Sequence, residues 1–341
     1  MTTIKDIAAK LGLSSATVSR TLRNDETLSI TPETRIRILA AAEEMGYVKN
    51  TKKAKSQKEK SKSFLIIHKH QTFRNQIDSS YYFAIRSGIE SVCSQQRVNC
   101  TFLAIEELHT VQQSIDGIIL VGNYTQEHFD QIFALYRSIP VTVIGMVAHY
   151  RDKVDHVSYR NFDSVSLALH YLLDHGHKKI GYLGIQEAPG TEMFGTRRDS
   201  FISILKSCHC LNEDWIYEID HGNDRVEQGY LLMQSIIESG TSLPTAFFCA
   251  NDPIALGALK ALFENHLKVP EDVSIIAHDG SFPTQYSIPP LTTVDVHPFQ
   301  LGTEGVKLLL NRLSDKEAPA KQLLLYPTLL VRDSIQTIKR T

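Results

Sequence analysis

Residues 3–20 read Thr3-Ile-Lys-Asp-Ile-Ala-Ala-Lys-Leu-Gly-Leu-Ser-Ser-Ala-Thr-Val-Ser-Arg20. The stretch spells two short helices separated by a tight turn. Thr3 stands at an N-cap position, and Asp6, three residues on, sets a carboxylate in the first turn, where the helix dipole favours it. Ile4, Ile7, Ala8 and Leu11 share one helical face. Gly12 follows, the residue type that ends helices in the left-handed conformation. Ser14 caps a second helix, with Val18 and Leu22 one turn apart as its buried edge. Thr31 and Pro32 begin a third helix, which Gly46 ends; Ile36, Leu39, Ala40 and Met45 are read as its apolar faces.

Two helices on such a turn form a helix-turn-helix, whose second helix lies in the DNA major groove. The side chains left outside that helix are small, hydroxylated or cationic. Small residues allow close approach, hydroxyls bond phosphates or base edges, and arginine forks onto guanine. The expected DNA contacts are Thr3, Ser14, Ser15, Ala16, Thr17, Ser19, Arg20 and Tyr47, with Ser15, Ala16 and Arg20 as base readers. Together with Thr31-Pro-Glu-Thr-Arg35 and Met45-Gly-Tyr47, the run resembles the headpiece of the LacI/GalR family of bacterial repressors. That resemblance implies a homodimer that binds a palindromic double-stranded operator and answers to a small molecule.

The charge distribution agrees with a DNA-binding head. The chain carries −2 overall, but residues 1–62 sum to about +6 and the remainder to about −8, a basic head on an acidic body. Residues 49–62 hold seven lysines and one apolar side chain, Ala54, and read as a solvated basic hinge or linker. Lys52, Lys53 and Lys55 there are expected to add phosphate contacts through counterion release. The resembled family folds this segment into a helix that wedges a leucine into the minor groove; here Lys55, Ser56 and Gln57 occupy the place. At 341 residues with 42% apolar content, the rest suffices for one or two further cores. The chain shows neither a signal-peptide core nor an apolar run of roughly 18 residues. Five cysteines form no disulfide framework, and Cys208-x-Cys210 reads as ordinary helix-end residues. These features predict a cytoplasmic, nucleoid-associated protein.

From Phe64 onward, strand and helix patterns alternate in two successive series, which predicts doubly wound parallel sheets. His175-Gly-His177-Lys-Lys-Ile180, Ala250-Asn-Asp-Pro-Ile-Ala-Leu-Gly257, Val269-Pro-Glu-Asp-Val-Ser-Ile-Ile276 and Pro289-Pro-Leu-Thr-Thr-Val294 are similar to landmarks of the same family. The fold class expected is therefore α/β. A three-helix headpiece (1–48) and the linker (49–62) lead to a two-lobed periplasmic-binding-protein-like core (63–341). Its first lobe is placed at about 63–160 and 293–323, and its second at about 161–292 and 324–341. No leucine-heptad tail follows, which favours a dimer over a tetramer.

Ligand loops belong at strand C-terminal ends, facing the cleft between lobes. A sugar needs paired hydrogen-bond partners for its hydroxyls and an apolar face for its ring. Asp279 and Asn251 end two strands, and the resemblance makes Asp279 an acceptor for ligand hydroxyls. It likewise makes Arg197, four residues before Phe201, the ligand-gripping arginine, with Arg198 as an alternative one residue on. Asp78, Ser80 and Tyr81 follow the first strand as the other lobe's contribution. Phe282, Trp215 and Tyr124 are candidate stacking surfaces, and Asp252 is expected to cap the helix after Asn251. His68, His70, His175 and His177 lack partners at metal-ligand spacing, so neither a metal nor a cofactor is expected. No nucleophile elbow, phosphate loop or catalytic triad is present in the sequence pattern, which excludes an enzyme. The segment Asp78-Ser-Ser-Tyr-Tyr82 is similar to repressors of galactoside operons, so galactose or a β-galactoside is the effector expected.

The lysine-rich, leucine-free linker predicts steep salt dependence of DNA binding with little bending. Circular-permutation gel shifts on a bound operator should show a shallow bend, and a sharp central kink would overturn this expectation.

Overall fold

Helix α1 (Ile4–Leu11) is fixed at both ends by side-chain chemistry. Thr3 Oγ1 accepts from the Asp6 amide while the Asp6 carboxylate accepts from the Thr3 amide at 2.8 Å, closing a capping box. Gly12 ends it at φ 66°. Helix α2 (Ser15–Leu22) starts at Ser14, whose Oγ accepts from the Thr17 amide at 3.0 Å. Helix α3 (Pro32–Glu44) is capped by Thr31. Ile7, Ala8, Val18, Ile38, Ala41 and Ala42 form the small core these helices share. The apolar face expected on α3 is corrected here. Ile36, Leu39 and Ala40 lie exposed, and the parallel stripe Ile38, Ala41, Ala42 and Met45 turns inward. Two alanines at the contact let α3 approach closely, which the bulkier stripe does not allow.

The computed structural model describes residues 2–22, 25, 28–45, 47, 61–69, 80–111, 114–186, 195–219 and 224–338. Met1–Lys60 and Ser61–Thr341 are separate units. The linker expected at 49–62 lies almost wholly outside the described residues, with Lys52, Lys53 and Lys55. Among the described residues no helix is long and apolar enough to cross a membrane.

The second unit holds two six-stranded sheets. The first sheet runs β11 (Gln322–Leu324), β5 (Asp155–Ser158), β4 (Val141–Ile144), β3 (Gly117–Val121), β1 (Ser63–His68), β2 (Asn99–Ala104). All its pairings are parallel. The second runs β12 (Thr328–Leu330), β10 (Thr292–Asp295), β9 (Ser274–Asp279), β8 (Ala246–Cys249), β6 (Ile180–Ile185), β7 (Ile216–Ile219). It is parallel except where β12 runs against β10. Central strands such as β1, β3 and β8 are buried along almost their whole length, which is why they read as unbroken apolar runs.

The chain crosses between lobes three times. It passes from β5 into α6 (Asn161–Asp174), from β10 into α10 (Pro298–Ser314), and from β11 to β12. One lobe boundary moves accordingly. The return to the first lobe, expected at residue 293, falls after Asp295, because β10 pairs with β9 in register Val294–His278 and Asp295–Asp279. At the turn His297 takes φ 56°, and Asp295 Oδ1 accepts from its amide at 2.7 Å. The apolar run at 291–296 gives no sign of which sheet it joins; the pairing decides it.

Helix α10 locks onto the first lobe. Arg312 donates twice to Asp155 (2.9 and 2.6 Å), an ion pair whose carboxylate is buried. It packs against α4 (Ser80–Gln95) at two reciprocal glycines: a Cβ on Gly302 would lie 2.1 Å from the Ile85 carbonyl, and one on Gly88 2.1 Å from the Phe299 carbonyl. Gly302→Val is expected to force the helices apart and cost about 1–3 kcal/mol, read as a lower urea midpoint at unchanged slope.

Candidate functional site

The residues expected to contact DNA differ in exposure. Ser14, Ser15, Ala16 and Arg20 are exposed; Thr17, Ser19 and Tyr47 are half-buried, and Tyr47 packs on the headpiece core. Thr17 Oγ1 lies 2.8 Å from Ser14 Oγ, so these hydroxyls hold each other. Thr3 is occupied in its capping box. Arg20 pairs with Asp25 at 2.8 Å.

In the second unit, strand ends bring a polar cluster together. β9 ends at Asp279, held at φ 116° in the left-handed region, with Gly280 following at φ 74°. β5 ends at Ser158, and the next residue, Tyr159, places its hydroxyl 3.3 Å from Arg197. Arg197 opens α7 (Arg197–Ser207) and donates to the Ala250 carbonyl at 2.6 Å. Its Nε is buried with no partner. Burial works against the guanidinium charge, but Tyr159 and Asp279 outweigh it and keep Arg197 protonated. Burial, with Tyr159 and Asp279 nearby, pushes the Tyr81 hydroxyl well above its ordinary range. Tyr159 is pushed up by burial too, against the pull of Arg197. Both phenols therefore stay neutral as donors and acceptors.

The structure thus brings Arg197, Asp279 and Tyr81 together; Ser80 begins α4 beside Tyr81. Arg198 pairs instead with Glu218 at 3.3 Å. Asn251 also caps a helix. Its Oδ1 caps α9 (Asp252–Glu264) by accepting from Ile254 N at 2.9 Å, and its buried Nδ2 alone is unpartnered. The cap expected of Asp252 is therefore Asn251's. Asp252 is fully buried and accepts from the Ser281 amide and the Thr293 hydroxyl, both at 2.6 Å. Burial, with Asp279 nearby, raises its pKa. It braces the turn that carries Asp279. Asp78 lies outside the described residues.

The stacking candidates separate. Tyr124 is buried and bonds the Ile67 carbonyl at 2.9 Å, a packing role. Trp215 is half-buried in the short turn before β7. Phe282 is 71% exposed beside Tyr286, ring centroids 5.2 Å apart. His177 commits both ring nitrogens, to Thr245 Oγ1 and the Gln336 carbonyl, each at 3.0 Å.

Two residues of the cluster escaped the sequence reading. Tyr159 had a usable signal, its place directly after a strand. His278 had none, since it sits at an inward position of a buried strand. Its Nδ1 lies 3.0 Å from Asp279 Oδ1 and its Nε2 2.9 Å from Ser164 Oγ. Through these two contacts His278 links Asp279 to Ser164 on α6.

His278, His177 and His156 are all held below the usual histidine range by burial, with Arg197 adding to the effect at His278 and Arg151 at His156. A histidine with a lowered folded pKa is neutral in the fold and binds a proton more readily when unfolded. Stability is therefore lost as pH falls through the unfolded value near 6.5. Thermal midpoints should drop between pH 7.5 and 5.5, and His278→Gln should flatten that drop; a steeper or unchanged slope counts against the neutral buried ring.

Comparison with known proteins agrees with this architecture. The profile "Bacterial regulatory proteins, lacI family" matches residues 3–50, and "Periplasmic binding protein-like domain" matches 169–335. The HTH-type transcriptional repressor MelR of Bacillus subtilis (strain 168) is 34% identical over 98% of this chain and 97% of its own. The HTH-type transcriptional repressor PurR of Pasteurella multocida (strain Pm70) is 31% identical over 99% of both. A solved complex of the transcriptional regulator CelR with cellobiose superposes with a TM-score of 0.68 at 22% identity, covering 98% of this chain and all of that one.

Proposed function

The chain belongs to the lacI family of bacterial regulatory proteins, as a DNA-binding transcriptional regulator and not an enzyme, and from that premise we propose that it represses a sugar-use operon. Two headpieces of a homodimer hold a palindromic operator, and a small neutral sugar, galactose or a β-galactoside, releases it by binding between the lobes. The observation that carries this reading is the cluster itself. One guanidinium, one carboxylate and two neutral phenols, Arg197, Asp279, Tyr81 and Tyr159, converge from both lobes and the crossing between them. Paired donors and acceptors of balanced charge suit vicinal hydroxyls, whereas a phosphate or carboxylate ligand calls for surplus cations.

The mechanism is a coupling free energy. A ligand that touches Tyr81 on one lobe and Asp279 on the other favours the arrangement in which both reach it. It thereby shifts the dimer away from the headpiece spacing that fits the operator. The dimer reading draws on a surface patch of the second lobe, where Phe282, Tyr286 and Ile288 are 71%, 70% and 88% exposed within seven residues. Neighbouring apolar side chains so open to water mark an association surface.

Galactose and lactose should each raise the melting temperature, by an amount equivalent to about 2.7 kcal/mol at a hundredfold excess over Kd. Asp279→Ala should abolish the rise. Selection from random duplexes should return an inverted repeat whose affinity falls when the sugar is added. A response confined to purines or sugar phosphates, with tighter DNA binding, would replace this reading by a co-repressor one.

A further inference from the structure

The first lobe holds a separate cavity of about 610 Å³ at the end of its sheet where the strands begin. Pro140 and Val141, at the start of β4, and Lys153, just before β5, line it. β4 and β5 are parallel, so this end is remote from Tyr159, which follows the last residue of β5. Every lining residue belongs to the first lobe, and none belongs to the ligand cluster. The volume falls within the range of roughly 300–1,000 Å³ typical of small-molecule sites.

One wall is aromatic. Helix α5 (Gln126–Leu135) presents Phe133, whose ring meets Tyr150 edge to face at 5.2 Å and 84°. Buried Phe129 backs both rings, at 6.1 Å from Phe133 and 5.8 Å from Tyr150. Tyr150 takes φ 58°, in the left-handed region that a bulky residue adopts at a cost. Its hydroxyl donates to the Asp130 carboxylate. Phe133 and Tyr150 are both half-buried and line the cavity, so a fixed aromatic surface remains open to an occupant.

The remaining walls are cationic. Arg312 spends its guanidinium on Asp155 and on the carbonyls of Lys316, Ala318 and Pro319. It thereby meets the carbonyls beyond the end of α10, which otherwise attract a cation. Arg137, Lys153 and Lys316 are exposed and form no ion pair among the described residues. The Lys153 ammonium has only the Tyr150 ring, 4.9 Å from Nζ to centroid. Asp130 is the one lining carboxylate. The lining therefore carries surplus positive charge on a body that is acidic overall, and an anion relieves the repulsion among these side chains.

We propose that this cavity binds a nucleoside phosphate. The base lies against Phe133 and Tyr150, and Arg137, Lys153 and Lys316 meet the phosphate. Aromatic side chains accept the flat face of any base, and arginine's planar fork matches phosphate oxygens. A sugar phosphate leaves the aromatic wall unused, and an uncharged nucleoside leaves the cations unmatched. The cavity is separate from the cleft between the lobes, so binding there does not rest on the sugar reading above.

The test is thermal denaturation of the full chain at constant ionic strength with AMP, GMP, UMP and ADP. Adenosine, ribose 5-phosphate and inorganic phosphate are the controls that lack the phosphate or the base. At least one nucleotide should give a saturable rise in melting temperature that no control matches at equal concentration. Arg137→Glu and Lys316→Glu should each weaken that response by at least about tenfold. Both side chains are exposed, so these variants should melt as the parent does without ligand. Phe133→Leu, which removes the ring and keeps an apolar side chain, should weaken the response as well. Lys260→Glu, an exposed cation outside the cavity, and Asp279→Ala, in the cleft cluster, should leave it intact. No saturable rise with any nucleotide, an equal rise with ribose 5-phosphate or inorganic phosphate, a rise that survives both cavity charge reversals, or one lost in Asp279→Ala would each overturn the proposal.

Discussion

The core is organised around the buried charge of Arg197. A guanidinium taken out of water must be matched by acceptors, and no single element supplies them. The Ala250 carbonyl comes from the end of β8, the Tyr159 hydroxyl from the first crossing, and the Asp279 charge from the strained end of β9. This cation therefore ties the first crossing and two strand ends of the second lobe to one point. Asp252 fixes the Asp279 turn from beneath, and His278 links it to α6. The cluster proposed as a ligand site is also the one that settles the electrostatics of the fold at that place.

Much of this was legible in the chain, for reasons that differ from element to element. The headpiece declared itself through caps: Thr3, Ser14 and Thr31 all do in space what their types do at helix starts. The two sheets followed from alternation, because buried parallel strands leave apolar runs. Arg197 and Asp279 were found from family register and strand ends, and the structure brings them together.

What was missed depends on long-range choice. Either apolar stripe of α3 satisfies helical periodicity, and only close packing selects Ile38, Ala41 and Ala42. Strand β10 suits either sheet until it pairs with β9. Asn251 and Asp252 are both good caps, and the burial of Asp252 against Ser281 and Thr293 assigns the role to its neighbour. His278 was invisible because a lone histidine in an apolar strand carries no pattern; its meaning comes from Ser164, 114 residues away.

The reciprocal glycine contact between α4 and α10 has a consequence for synthesis. Gly88 leaves the ribosome more than two hundred residues before Gly302, the helix surface that fills its groove. The first sheet likewise waits for β11, which follows five strands of the other sheet in chain order. The first lobe therefore cannot close as it is made, although it is encoded first. The second lobe's central strands emerge while its predecessor still lacks a wall. A nascent chain of this order exposes an apolar flank of the first lobe until α10 and β11 have been made.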